Sequence, residues 1–346
     1  MKNTSEHLPL WGYLLLTVLL AVAFLLSICI GSVNLPLADT LSCLRSALTG
    51  QEAPATMARG IILNLRLPRA LNAALTGAAL SLSGAAMQGL LRNPLADGST
   101  LGVSSGASLG AVLSLAFGFG LTGGALGSTA LTAMLSAFLS LLVILALAWA
   151  LDRSLSTSSI ILIGVIFSMF ASSLISLVVS FAGDRVRAIT FWTMGSLAST
   201  NLSHTKLLTG ALLVGGGAIL LHARELNAFA IGEENARHIG VNVRRVKLVV
   251  LAAVAALIGV CVSVGGTIGF VGLVVPHMTR RLTGPNHRRL LPASLFAGAI
   301  FLLLADLAAR TLLRPIELSI GVVTSLVGAV AFLVILCRTR KGGRPC

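Results

Sequence analysis

Unbroken apolar runs recur along this chain, among them Leu14–Ile30, Leu207–Leu221 and Val246–Val264. About 20 apolar residues in helical form are enough to cross the hydrocarbon core of a bilayer. The runs are continuous, so the alternating pattern of a membrane β-barrel is missing. Only 10% of the 346 residues are charged and 56% are hydrophobic, against roughly 25% charged in soluble domains. The chain therefore reads as an all-α polytopic membrane protein, one transmembrane domain over 1–346. Spans are expected at 11–31, 69–91, 101–120, 128–151, 158–181, 205–222, 246–264, 268–282, 290–310 and 319–337. The segments 101–120 and 268–282 are short and glycine-rich, as broken or tilted helices buried inside a bundle are. The longest stretch between spans, 32–65, has room for a short amphipathic helix at Ala38–Leu48. No A-x-A site closes the Leu14–Ile30 run, which reads as a retained first span rather than a signal peptide.

The net charge of +14 raises nucleic acid as a partner. The basic residues are scattered between apolar runs, however, which is the pattern of membrane topology. With the N-terminus inside, sixteen of the 25 lysines and arginines fall on the cytoplasmic side and nine outside. That obeys the positive-inside rule and places both termini in the cytoplasm. Arg66 and Arg69, at the outer start of the second span, are exceptions, as are Arg310 and Arg314 at the outer end of the ninth. An outward ring of arginines suits an acidic partner or an anionic ligand. Snorkelling to lipid headgroups is the alternative. Asp306 is the most deeply placed acid, and a mid-membrane aspartate costs about 2.5–3.5 kcal/mol on insertion scales. Arg310 lies four residues later on the same helical face. A structural ion pair is favoured over a proton relay, since no other acid lies within a span.

The most highly charged stretch is Arg224–Lys247, between two apolar runs on the expected cytoplasmic side. Glu233, Glu234, Arg237 and His238 crowd into a short helical pattern bracketed by Gly232 and Gly240. That spacing predicts two brief helices joined by glycine turns. Leu226, Phe229, Ala230, Ile231 and Ile239 are interleaved with the charges. The pattern fits a surface that docks into a partner, with Phe229 and Ile231 as apolar anchors and Glu233, Glu234 and Arg237 as a polar rim. It fits a solvated loop equally well. Small residues at Gly77–Ala79, Gly84–Ala86, 215–217 and 265–266 favour close helix packing and carry no substrate information.

Lysine occurs only at 2, 206, 247 and 341, and none completes a GxxxxGK[ST] phosphate loop. HExxH and GxSxG are absent, and no His/Cys/Asp cluster forms. The five cysteines, Cys29, Cys43, Cys261, Cys337 and Cys346, have neither disulfide-framework nor zinc spacing. The chain carries no visible means of hydrolysing ATP, and no catalytic residue, cofactor or metal site is expected.

More specific motifs follow one another in order. Arg66-Leu67-Pro68-Arg69 opens the second span, and Leu82–Gly89 runs into Arg92-Asn93-Pro94-Leu95-Ala96-Asp97 and Leu101–Ala107. Leu226-Asn227, Gly232-Glu233 and Ile239-Gly240-Val241 come next, then Ile268–His277 before Arg280, then Asp306 to Arg310. This set resembles the FecCD family, the permeases of bacterial ABC importers for iron–siderophore complexes, haem and cobalamin. The resemblance covers about 60–337. It implies a type II ABC importer permease fold of about ten transmembrane helices in the cell inner membrane. It also implies a second permease chain, the same or related, two cytoplasmic ATPase subunits and an extracytoplasmic substrate-binding protein. By motif match, Arg66, Arg69 and Arg310 would receive acidic residues of that binding protein. The 224–247 loop, with its core at Ala228–Gly240, would contact the ATPase. Three positions depart from the family pattern, with Gly98, Ser319 and Val330 where proline is usual. Those substitutions put local kinks in doubt.

The reading is thus a permease subunit of an ATP-driven importer of a metal chelate. Iron(III)–siderophore is the first expectation, haem or cobalamin the next. An ion-gradient-driven secondary transporter is the alternative of another class, disfavoured by the lack of a chain of intramembrane ionisable residues. A membrane-embedded enzyme and a non-catalytic scaffold are disfavoured further.

Overall fold

The computed structural model describes residues 10–31, 40, 42, 57–98, 100–118, 127–153 and 156–341. Among the described residues there is no strand. The helices are α1 (Leu10–Cys29), α2 (Ile61–Leu90), α3 (Val103–Phe117), α4 (Gly127–Leu151), α5 (Thr157–Phe181) and α6 (Val186–Thr193). They continue as α7 (Leu202–Leu221), α8 (Ala223–Phe229), α9 (Glu233–His238) and α10 (Val243–Gly265). The last are α11 (Val271–Thr283), α12 (His287–Thr311) and α13 (Ile320–Lys341). Seven of these contain a span long and apolar enough to cross a membrane: α1, α2, α4, α5, α7, α10 and α12. The other three expected spans correspond to α3, α11 and α13. Of these, α3 and α11 are short, with 15 and 13 residues, as the glycine-rich segments imply. The helix expected at Ala38–Leu48 lies outside the described residues apart from 40 and 42. The short helix α6 was not expected.

Burial decides which helices are central. The apolar windows of α2 and α10 are 78% buried, against 17% for α1 and 22% for α5 and α7. Helix α2 packs on α12, α11 and α10, and α10 packs on α4 and α3. In lipid, helices gain nothing by hiding apolar side chains from water, so close backbone approach drives the packing. A Cβ on Gly77 would overlap the Gly298 carbonyl oxygen, and a Cβ on Gly298 would overlap that of Gly77. Seven residues along α2, Gly84 meets the Gly272 carbonyl of α11 in the same way. The glycines read as packing faces therefore hold α2 against α12 and α11.

The structure accommodates the three missing prolines individually. Gly98 lies against Ile258 Cδ1, the tip of a side chain that would have to shift for a Cβ. Ser319 accepts backbone bonds from Val322 at 3.1 Å and Val323 at 3.3 Å, starting α13 without a ring. Val330 is exposed within α13.

Gly298→Val is expected to destabilise the bundle by about 1–3 kcal/mol, the usual cost of overpacking. Thermal unfolding of the purified protein in detergent would show a lowered midpoint. An unchanged midpoint would mean that the α2–α12 contact does not limit stability.

Candidate functional site

Three places concentrate polar groups: the Arg69 end of the bundle, a cavity in its interior, and the Glu233 end.

At the Arg69 end, α1 stops in apolar surroundings and its last carbonyls need donors. Arg66 Nη1 donates to the Ile28 and Cys29 oxygens, each at 2.9 Å. Arg310 Nη2 donates to Ser27 O at 3.0 Å and Ser27 Oγ at 2.9 Å. Cations at a helix C-terminus also complement its dipole. Gly31 makes room, since a Cβ there would lie 2.7 Å from Arg66 Nη2. Asp306, fully buried, lies 3.0 Å from Arg69 Nε through Oδ1 and 3.0 Å from Arg310 Nε through Oδ2. The second contact is an ion pair without hydrogen-bond alignment. Arg69 Nη1 reaches Glu317 Oε2 at 2.9 Å. The i,i+4 spacing of Asp306 and Arg310 thus produces the expected pair, joined by an unforeseen third member, Arg69.

The outward ring read from the sequence differs from this geometry. Arg66 and Arg310 are only 6% and 3% exposed. They turn inward because helix-end carbonyls and a buried carboxylate hold them. Arg69, Glu317, Arg66 and Arg310 nonetheless line one cleft of about 260 Å³ at this end. Arg314 is exposed beside it.

In the interior, two stretches of non-helical backbone approach one cavity of about 360 Å³. One is the turn between α2 and α3, whose Asp97 and Gly98 reach Ile258 in the body of α10. The other is 266–270 between α10 and α11, where Gly266 and Phe270 adopt left-handed φ of 68° and 66°. Irregular backbone at membrane depth is tolerated where it is buried in protein or lines a cavity. Ser104, Ser105, Ser108, Ser172, Thr193 and Thr267 give the wall its hydroxyl groups. Of these, only Ser104 and Ser105 fall within the motifs recognised in the sequence, and none has a role assigned there. Their signal was the interruption of two apolar runs by Ser, Thr and Gly.

At the Glu233 end, α8 and α9 form the two expected helices, and Gly232 turns between them with φ 112°. Phe229, expected to anchor a partner, is fully buried in this chain's own core. Glu233, expected on the rim, turns inward: Oε1 lies 2.7 Å from Lys247 Nζ of α10 and accepts from Thr157 Oγ1 of α5 at 2.8 Å. Lys247 is only 1% exposed, and an ammonium so buried requires a counter-charge. Asn227 ties α8 to the start of α12, donating to Asn286 Oδ1 at 2.9 Å and accepting from the His287 backbone at 2.8 Å. Lysine alone near the head of an apolar run is the available clue to Lys247; Asn227 stands out only as part of the Leu226-Asn227 motif, and Asn286 gives no signal. Facing outward are Ile231 (57% exposed) and Ile239 (63%), with Glu234, Arg237 and Gly240 around them. No group of three or more His, Cys, Asp or Glu able to hold a metal occurs among the described residues.

Comparisons with known proteins agree with one another. Residues 19–338 match the FecCD transport family. The ABC transporter permease protein YvrB of Bacillus subtilis is 43% identical over 329 residues, covering 94% of this chain and 93% of YvrB. The hemin transport system permease protein HmuU of Yersinia pestis is 40% identical over 286 residues, covering 81% and 84%. A solved metal-chelate type ABC transporter in an inward-facing conformation superposes with TM-score 0.82 at 32% identity, covering 94% of this chain and 98% of that one.

Asp306→Asn leaves Arg310 without a paired acid and Arg69 with Glu317 alone. A loss of about 3–5 kcal/mol is expected, as for a broken buried pair. Glu317→Gln, at a side chain 33% exposed, should cost under about 1 kcal/mol. Denaturation midpoints of the two variants in detergent check the order; equal midpoints would remove Asp306 from the centre of the cluster.

Proposed function

Since this chain belongs to the FecCD transport family, we propose that it is the permease through which an ATP-driven importer passes an iron(III)–siderophore complex across the cytoplasmic membrane. Its standing as an ABC importer permease for metal chelates rests on the family match and on the relatives. The siderophore rests on the interior cavity. Its wall offers six hydroxyl side chains and one aromatic ring, Phe270, and no His, Tyr or Met to meet a haem iron. Oxygen-rich chelates hydrogen-bond to such a wall. The 40% identity to HmuU favours haemin as the second reading.

In this reading both termini are cytoplasmic, and two permease chains, identical or related, enclose the path. The Glu233 end seats two ATPase chains through Ile231 and Ile239, with Glu234 and Arg237 orienting the contact. Phe229 and Glu233 transmit rather than dock. Phe229 keys α8 into the core, and Glu233 joins α9 to α5 and α10, so a displaced α8–α9 unit drags spans with it. A substrate-binding protein docks at the Arg69 end. Arg69 is the least buried of the three arginines, and its partner Glu317 can give way to an incoming carboxylate. Arg66 and Arg310 hold the end of α1 beneath the docking surface.

Uptake into proteoliposomes containing the assembled transporter tests the reading. ATP-dependent uptake of a ferric hydroxamate in excess of haem and cobalamin is expected, and preference for haem would replace the substrate. In the same assay, a Gly-Ser pair inserted after Glu234 should leave an assembled complex whose ATP hydrolysis drives no uptake. Normal uptake would move coupling elsewhere, to the 280–289 region first. Docking has its own check. Glu317→Gln removes the internal competitor for Arg69, so binding-protein affinity should rise by the worth of one exposed pair, about 0.2–1 kcal/mol. A fall in affinity would make Glu317 part of the docking surface instead.

A further inference from the structure

A second cavity, of about 560 Å³, lies at the Glu233 end, between α2, α11 and α12 and beside the end of α8. Its polar lining is Gln88, Arg92, His277, Arg280, Arg281 and His287, with no carboxylate among the lining residues. Among the described residues no acid is paired with Arg92, Arg280 or Arg281. Three guanidinium groups around one hollow repel one another, and an anion between them relieves that repulsion.

The hollow is built rather than incidental. His287 is 3% exposed, and its Nε2 is buried with no partner. Arg280 Nε and His277 Nε2 are also buried without partners. Gln88 donates to the Gly272 and Leu273 carbonyls at 3.3 and 3.1 Å, so its Oε1 remains to hold Arg280 Nη2 at 3.4 Å. Arg92 keeps a left-handed φ of 51°, a strained conformation for a residue with a Cβ. The three orphan atoms are themselves enclosed, so an incoming ligand meets the outer guanidinium nitrogens of Arg92, Arg280 and Arg281.

The chemistry of His287 narrows the ligand. Asn227 donates through Nδ2 to Asn286, so its Oδ1 accepts, and His287 Nδ1, 2.9 Å away, carries the proton. Nε2, the unprotonated nitrogen, is enclosed against Gly89 and out of a ligand's reach, so the hollow offers a ligand donors only. A ligand that suits the site brings negative oxygens, and more than one charge, for three guanidinium forks. Guanidinium matches phosphate geometry in particular.

We propose that this cavity binds a phosphate monoester or inorganic hydrogenphosphate. The sources are free phosphate and the headgroup of phosphatidic acid, which share a phosphate able to carry more than one charge. The site does not depend on which chelate the permease carries.

The full chain in phosphatidylcholine nanodiscs, titrated with radiolabelled inorganic phosphate, tests the soluble source. Native mass spectrometry after exchange into nanodiscs containing phosphatidic acid or phosphatidylglycerol tests the lipid source. Saturable phosphate binding assigns the soluble source, and selective retention of phosphatidic acid assigns the lipid; either supports the site. Arg281→Gln, at an exposed position whose change leaves the fold intact, and Arg280→Gln should each weaken binding roughly tenfold, the loss of one charge-assisted contact. Absence of both activities overturns the proposal, as does unchanged binding by Arg281→Gln and Arg280→Gln. Equal retention of phosphatidylglycerol, a diester with a single charge, overturns the assignment to a monoester.

Discussion

The constraint behind most of this structure is that hydrocarbon offers no water to a backbone carbonyl. Helix α1 ends with the oxygens of Ser27, Ile28 and Cys29 directed at Arg310 and Arg66. Two arginines that work against membrane insertion are kept where they close the end of a helix. The same constraint governs the irregular backbone near 97–98 and 266–270. It turns toward a cavity lined with hydroxyl groups, and the surrounding helices shield it from lipid.

Once arginines are committed inside, the acids follow. Asp306 sits between Arg69 and Arg310 because Arg310 has no other paired acid and Arg69 has only the partly exposed Glu317. Packing then has to hold the partners in register. The Gly77–Gly298 and Gly84–Gly272 contacts bring α2 within touching distance of α12 and α11, which is what allows Arg69 of α2 to reach Asp306 of α12. Small residues at the packing face and large charged ones at its end are parts of one arrangement.

Composition and run length were enough to read the helical class, and the short glycine-rich segments marked where two helices would fall short. Spacing gave the Asp306–Arg310 pair because i and i+4 share a face whatever surrounds them. What spacing could not give was direction. Phe229 and Ile231 look equivalent in a charged loop, yet one fills the core and the other faces outward, because α8 ends at Phe229 and Ile231 lies in the turn beyond it. Glu233 and Glu234 are neighbours with opposite fates for a similar reason: only Glu233 lies over Lys247. Arg66 and Arg310 look like surface residues in the sequence because the carbonyls that claim them belong to α1, 37 to 283 residues earlier in the chain.

The two ion clusters differ in one further respect. Glu233 and Lys247 are 14 residues apart, across α9 and the turn into α10, whereas Arg69 and Asp306 lie 237 residues apart. During synthesis, Lys247 meets its counter-charge almost as soon as α10 exists. Arg69 emerges long before its acid and must wait at the membrane surface through the insertion of all the intervening helices. Long-range pairings form late. The Glu233–Lys247 pair therefore forms early and locally, and the Arg69 end is sealed last, when α12 arrives and the chain is nearly complete.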